Sequence, residues 1–181
     1  MSRLTLYPDT APEQIIVSIT DPSEIAAELA RVGVDFERWQ ADAPLPVDAD
    51  QATILAAYAS DIARLQAEGG YITSDVVRLK PDHPERASLR QKFLDEHTHS
   101  EDEVRFFVEG SGAFYLHLQD RVYQVTCERG DLLRVPAHTR HWFDMGPAPY
   151  FTAIRLFIDP AGWVGHFTGE KIASEFPRHG E

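Results

Sequence analysis

The sequence of 181 residues contains a single cysteine, Cys127, and is poor in basic residues. One thiol cannot form a disulfide within the chain, so we expect the protein to work in a reducing compartment, the cytoplasm. Its 17 lysines and arginines are outnumbered by 29 aspartates and glutamates, which gives a formal net charge of −12. This acidic balance argues against nucleic acid and against an anionic membrane surface as partners, because both are bound through clustered basic residues.

Long apolar stretches are also missing. No run approaches the ~18 residues that a transmembrane helix needs, and the start of the chain has no signal-peptide pattern. The sequence contains neither a glycine-rich phosphate loop nor a nucleophile elbow, which argues against nucleotide-dependent enzymes and serine hydrolases. The length and the ordinary shares of hydrophobic (43%) and charged (25%) residues are typical of one globular domain, residues 1–181, and we expect a monomer.

The first half of the chain carries helix signals. Residues 21–24, Asp-Pro-Ser-Glu, combine an N-cap, a proline for the first turn and a capping-box glutamate. Apolar residues at helical spacing after Asp50 predict a second helix that ends at Gly69, and a short helix is expected after Pro84. We therefore expect residues 1–92 to form helical decoration.

The second half is typical of β structure. Short runs rich in Val, Phe, Tyr and Leu alternate with turn signals, for example at residues 109–112 and 128–131. The strand candidates are Val104–Val108, Ala113–Leu118, Val122–Cys127, Leu132–Val135 and Tyr150–Ile158. Such spacing predicts a mainly β fold, with an antiparallel barrel core at about residues 93–170 and the helices packed outside it.

Histidines are concentrated in the β region, where five of the eight lie between His97 and His141. Residues two apart on an extended segment project to one face, so His97, His99 and Glu103 can converge on one point. On spacing alone, His138 or His141 can supply a fourth ligand. Imidazoles with one carboxylate suit iron, nickel, zinc, manganese or copper better than calcium or magnesium. The pattern therefore predicts a metal site.

The same residues follow the two motifs of the cupin superfamily. The first motif is matched by His97, His99, Glu103 and Gly110, and the second by Gly130, Pro136 and His141. The register of the second motif selects His141, while His138 and Met145 replace its usual glycine and asparagine. The longer segment 92–106, supported by segments 112–115, 130–132, 136–143, 155–157 and 162–163, resembles the acireductone dioxygenase family. This resemblance spans roughly residues 70–170.

The resemblance implies a cupin-type small β-barrel (jelly roll) and a metal-dependent dioxygenase of methionine salvage. The implied substrates are dioxygen and acireductone, 1,2-dihydroxy-5-(methylthio)pent-1-en-3-one. The implied cofactor is one Fe(2+) or Ni(2+) ion per chain, held by His97, His99, Glu103 and His141. In this family the iron form gives 4-methylthio-2-oxobutanoate and formate, and the nickel form gives 3-(methylthio)propanoate, formate and carbon monoxide.

Residues around the expected ligands are candidates for further roles. Arg105 shares the parity of Glu103, so we expect it to stabilise the substrate dianion rather than to form a surface ion pair. Glu96 and Asp102 alternate with the ligands; they either orient a ligand ring or assist metal uptake, or they belong to a solvated acidic run. Candidates for a pocket around the methylthio tail, with ordinary core packing as the alternative, are Phe93, Phe143 and Trp163.

Two other functions use the same residues. One is a different cupin dioxygenase or a metal-dependent isomerase, and the other is a non-catalytic cupin that binds a small ligand. The position of Arg105 beside Glu103 and the long match around His97 favour the acireductone dioxygenase interpretation.

Overall fold

The computed structural model describes residues 1–159 and 164–181. Within these ranges the α-helices are α1 (Pro22–Ala30), α2 (Gln51–Ala57), α3 (Ala59–Gly69) and α4 (Arg86–Phe93). The strands are β1 (Arg3–Pro8), β2 (Val17–Ile19), β3 (Asp35–Arg38), β4 (Thr73–Leu79), β5 (His97–Thr98), β6 (Glu103–Leu118), β7 (Arg121–Glu128), β8 (Asp131–Val135), β9 (Arg140–Asp144), β10 (Phe151–Phe157) and β11 (His166–Phe167). All of these strands pair antiparallel.

Local sequence signals account for the helix starts. The Asp21 carboxylate accepts hydrogen bonds from the backbone N–H groups of Ser23 and Glu24, which caps α1 as expected. The single helix expected after Asp50 is instead two helices, because the chain turns at Tyr58. The Tyr58 ring is buried and packs on Phe106, with ring centroids 5.1 Å apart. A tertiary contact that helical periodicity does not reveal therefore divides the helix.

The long strand β6 is the centre of the sheet. Its first half pairs with β8 and β10, and its second half pairs with β7 and β9. The two strands expected at Val104–Val108 and Ala113–Leu118 are thus one strand that bends at Gly110, which has a φ of 72°. A Cβ at position 110 would lie 1.8 Å from the carbonyl oxygen of Tyr150, so only glycine fits this bend.

The N-terminal region contributes strands as well as helices, which corrects the expectation of helical decoration over residues 1–92. β1 pairs with β7, β3 with β8, and β4 with β10. Such strands are short, and their stability comes from distant partners, so local pattern alone did not reveal β1 to β3. The expected mainly β class with helices from the N-terminal half is confirmed. The pairings in the described parts of the chain branch from β6 without forming a ring, and barrel closure and the domain bounds stay predictions.

The C-terminal segment packs on the sheet. Phe176 is buried against Tyr7 and Trp142, at centroid distances of 5.6 Å and 5.8 Å. The Tyr115 hydroxyl donates a 2.7 Å hydrogen bond to the carbonyl oxygen of Pro177. None of the helices in residues 1–159 and 164–181 has the length and apolar character needed to cross a bilayer.

Candidate metal centre

Neighbouring strands bring three histidines and one glutamate together. His97 on β5 lies directly opposite His141 on β9, His99 follows β5, and Glu103 begins β6. One side-chain N or O atom from each of these four residues lies within 4.8 Å of the others, and all four residues are buried. The arrangement is the donor set of a transition-metal site.

Each of the three imidazoles is oriented by a main-chain carbonyl. The Nδ1 atoms of His97 and His141 lie 2.7 Å and 2.8 Å from the carbonyl oxygens of residues 95 and 139. The Nδ1 atom of His99 lies 3.2 Å from the carbonyl oxygen of Val164. A carbonyl oxygen only accepts hydrogen bonds, so each Nδ1 carries the proton and each neutral ring presents the lone pair of its Nε2 atom.

The Nε2 atoms of two rings approach one carboxylate oxygen. Glu103 Oε2 lies 3.1 Å from His99 Nε2 and 3.0 Å from His141 Nε2. Lone pairs on nitrogen and on a carboxylate oxygen repel each other at this distance unless a proton or a metal cation lies between them. The donor set therefore fits a buried divalent cation, with Nε2 of each histidine and a carboxylate oxygen of Glu103 as ligands.

The pKa shifts of His97 and Glu103 favour the protonation states that bind a metal ion, whereas the shift of His99 favours the protonated ring. Burial, helped by the nearby His141 ring, lowers the pKa of His97 to about 4, so this ring is neutral at neutral pH. Burial alone would raise the pKa of Glu103, but the charge of Arg105 and hydrogen bonds with the histidines hold it well below its usual range. For His99, burial favours the neutral ring, while Glu103 raises the pKa overall. A metal ion bound at Nε2 of His99 would replace the proton that lies between this ring and Glu103.

Arg105 is buried beside the carboxylate. Its Nη2 atom donates a 2.7 Å hydrogen bond to Glu103 Oε1, the oxygen that does not face the histidine rings His99 and His141. The guanidinium carbon lies 4.5 Å from the ring centroid of Phe143 and 5.1 Å from that of Phe114. Burial lowers the pKa of Arg105, which Glu103 opposes, and a guanidinium stays charged in proteins. The site thus holds a fixed positive charge next to the ligand cluster.

A cavity of about 410 Å³ opens at the ligand cluster, within the size range of small-molecule sites. Phe93 and Phe143, expected as pocket residues, line it together with His97, His99, Glu103 and Arg105. Trp163 lies outside the described residues. Lining residues that the sequence analysis missed are Lys92, Arg155, Val164, Gly165 and Phe167. They come from α4, β10 and the segment at β11, and none of them was expected from the sequence to line a pocket.

Glu96 and Asp102 have partners other than the ligand rings. The buried Glu96 carboxylate lies 2.6 Å from His117 Nδ1 and accepts a 2.8 Å hydrogen bond from the Thr168 hydroxyl. Asp102 accepts hydrogen bonds from the Tyr71 hydroxyl and the Ala137 N–H. The Nδ1 atoms of the three rings lie instead beside main-chain carbonyl oxygens. Both residues instead anchor chain segments around the site, and a part in metal uptake stays a prediction.

His138 occupies the position of the glycine in the second cupin motif and is not one of the four clustered residues. Its φ is 63°, a left-handed conformation that explains why glycine is usual there. Its backbone N–H donates a 2.8 Å hydrogen bond to the carbonyl oxygen of His99. Of the two histidines that spacing allowed, the structure places His141 at the cluster.

Comparisons with known proteins agree with this geometry. The model of the ARD/ARD' family matches residues 3–165. Acireductone dioxygenase of Parvibaculum lavamentivorans is 61% identical over 178 residues, which are 98% of this chain and 97% of the relative. Acireductone dioxygenase of Pseudomonas aeruginosa strain UCBPP-PA14 is 59% identical over 98% of both chains. A solved acireductone dioxygenase from Bacillus anthracis, with a cadmium ion in its active centre, superposes with a TM-score of 0.83 at 31% identity and covers 92% of this chain and 98% of its own.

Proposed function

The chain belongs to the ARD/ARD' family, and from this premise we propose that it is a metal-dependent acireductone dioxygenase. The proposed reaction joins dioxygen to 1,2-dihydroxy-5-(methylthio)pent-1-en-3-one and cleaves its carbon chain. The named relatives, each covered over nearly their whole length, support this assignment.

The observation that carries the proposal is the orientation of the three imidazoles. Their Nδ1 atoms are engaged by main-chain carbonyls, and two of the Nε2 atoms face the same oxygen of Glu103 at 3.0 Å and 3.1 Å. We propose one Fe(2+) or Ni(2+) ion per chain, with His97, His99, Glu103 and His141 as its ligands. When bound, the ion would supply the Lewis acid that holds two oxygens of the enediolate.

The remaining residues of the cavity act on the substrate. Arg105 points a fixed positive charge at the ligand cluster, where it would stabilise the negative charge of the enediolate. Phe93 and Phe143 line the cavity and offer apolar surface to the methylthio tail. Glu103 stays ionised because its pKa is lowered by Arg105 and the histidines, against the effect of burial. These side chains bind and orient the anion.

The choice of products is proposed to depend on the ion. In the iron form we expect 4-methylthio-2-oxobutanoate and formate, and in the nickel form 3-(methylthio)propanoate, formate and carbon monoxide. One ligand set can serve both ions because imidazole and carboxylate donors suit each of them.

Reconstitution tests the proposed function. Metal-free protein is loaded separately with Fe(2+) and Ni(2+), mixed with acireductone under oxygen, and followed by the loss of the ultraviolet absorbance of the enediol. We expect rapid loss with both forms, with carbon monoxide from the nickel form alone. Metal-free protein and a Glu103→Ala variant serve as controls and should add nothing to the spontaneous rate. Persistence of the absorbance with both loaded forms would reject the assignment.

A further inference from the structure

Lys92 is the lysine that lines the metal-site cavity. The chain contains three lysines, Lys80, Lys92 and Lys171, against 14 arginines. The ion pairs made by basic side chains in the described part of the chain involve arginine or histidine, whereas Lys92 is exposed and forms no ion pair there. Its ammonium group is therefore available to a ligand.

The other cations of the cavity already have carboxylate partners. Arg105 donates to Glu103, and Arg155 binds Asp75 through two hydrogen bonds of 2.8 Å and 2.6 Å. An anion that approaches from solvent first meets a protein whose net charge is −12, which repels it. An exposed cation at the cavity reduces the electrostatic repulsion that an anion meets as it enters the site.

The position of Lys92 is held by its surroundings. Its Nζ atom lies 5.6 Å from the ring centroid of Phe93, a cavity residue, at a distance where a cation is attracted to the ring face. Both residues belong to the last turn of α4, and Arg90 in the same turn binds the buried Asp144 through two hydrogen bonds of 2.7 Å and 3.0 Å. One contact thus anchors the last turn of α4, and the other holds the Lys92 ammonium group near a ring that lines the cavity.

We propose that Lys92 captures the anionic substrate electrostatically and so sets its KM. The inference rests on the proposed function, because an enediol conjugated to a ketone loses a proton readily and reaches the enzyme as an anion. Lys92 acts on binding, while Arg105, buried beside Glu103, acts on the charge that develops during the reaction. Lys92 therefore serves substrate binding, and Arg105 serves stabilisation of the negative charge during the reaction.

The experiment compares Lys92→Gln, Lys92→Arg and the control Lys80→Gln in the metal-loaded enzyme. Lys80 is exposed, does not line this cavity, and undergoes the same change of charge. At low salt we expect Lys92→Gln to lower kcat/KM about threefold or more through a higher KM, while Lys92→Arg and Lys80→Gln behave as the wild type. The difference should vanish near 1 M salt, where the Debye length is about 3 Å.

Each outcome decides between the two claims. Wild-type turnover together with an unchanged KM in Lys92→Gln overturns the inference alone, as does a loss that lies in kcat and persists at high salt. An equal loss in Lys80→Gln also overturns it, because net charge rather than position would then control binding. No wild-type turnover in either loaded form would overturn the proposed function and, with it, the role of Lys92.

Discussion

Arg105 combines burial, a fixed charge and a place beside Glu103, a proposed metal ligand. Its guanidinium donates a hydrogen bond to Glu103 Oε1 and lies against the ring of Phe143. A charge held in this way does not need to reorganise when negative charge develops on a substrate, which is the basis of electrostatic catalysis. Two roles are open to such a residue: it can act on the substrate, or it can hold Glu103 in position for the ion.

Replacement of Arg105 separates these roles. We expect Arg105→Ala to keep its metal content and to lose about a hundredfold in turnover, the usual effect of removing one preorganised donor. Metal content is measured by elemental analysis and turnover by the loss of enediol absorbance. Loss of the metal together with turnover would instead assign Arg105 to the positioning of Glu103, and unchanged turnover would exclude a role in the reaction.

At the scale of residues, the sequence reveals the cluster better than its orientation. The alternation of His97, His99 and Glu103 along an extended segment is enough to predict that they share a face. The partners of their rings are carbonyl oxygens, one of them from Val164, which lies 65 residues from His99 in sequence. Every residue carries such an oxygen, so no side-chain pattern can indicate which of them serves the site.

Element α4 and the C-terminal segment meet at Asp144, the last residue of β9. The buried Asp144 carboxylate binds Arg90 of α4 and accepts hydrogen bonds from the backbone N–H groups of Gly146 and His179, at 2.9 Å and 3.0 Å. His141 lies on the same strand. One carboxylate therefore connects the helix that lines the cavity, the strand that carries a proposed ligand, and the end of the chain.

Neutralisation of this carboxylate should weaken the whole connection. We expect Asp144→Asn to lower the free energy of unfolding by about 2 kcal/mol, because the half-buried Arg90 guanidinium then loses its buried partner and keeps only the exposed Glu181. Urea unfolding of the metal-free protein measures the effect, and the exposed Asp48→Asn serves as a control with the same chemical change. Equal stability of the two variants would contradict this account of the contact.

At the scale of elements, turn signals mislead where a strand bends without ending. Residues 109–112, Glu-Gly-Ser-Gly, are typical of a hairpin, yet β6 continues through them because both of its halves find partner strands. The continuity depends on β10, whose Tyr150–Phe151 region packs against Gly110. Long-range pairing of this kind is not encoded in a short window of residues.

The whole molecule carries several histidines whose folded environments shift their pKa values in opposite directions. Burial lowers the pKa of His97 to about 4 and also lowers that of His179. The pKa of His99 is raised, because Glu103 outweighs the effect of burial. The unfolded value is 6.5 for all three, so the two directions act in different ranges of pH.

The metal-free protein should therefore be most stable slightly above pH 6.5, since two of the shifts favour higher pH and one favours lower pH. Below this value the unfolded state binds protons at positions 97 and 179 that the folded state refuses, so stability falls toward pH 5 by up to about 1.4 kcal/mol per pH unit for each histidine. At higher pH the unfolded state releases the proton at position 99 while the folded state still holds it, so stability falls again. Urea unfolding at a series of pH values, in the presence of a chelator, measures the curve. A curve that is flat between about pH 5 and 8 would contradict the opposing shifts.

The composition of the cavity was the least predictable feature at the scale of the whole molecule. Arg155 lies opposite Arg105 in the pairing of β10 with β6, and Phe167 reaches the site through the pairing of β11 with β5. Neither pairing follows from a local pattern, so neither residue was expected to line the cavity. The net charge of −12, by contrast, follows from composition alone, and it already indicates that an anionic substrate is repelled by the protein as a whole.

The carbonyl oxygens beside the three Nδ1 atoms determine which sequence changes the site can accept. They belong to Asp95, Thr139 and Val164, yet any amino acid at those positions would offer the same oxygen. A substitution there keeps the carbonyl oxygen beside the Nδ1 atom. An insertion or deletion of one residue would displace that oxygen and change the orientation of the ring. We therefore expect related sequences to vary in residue type at these three positions but to conserve the lengths of the loops that contain them.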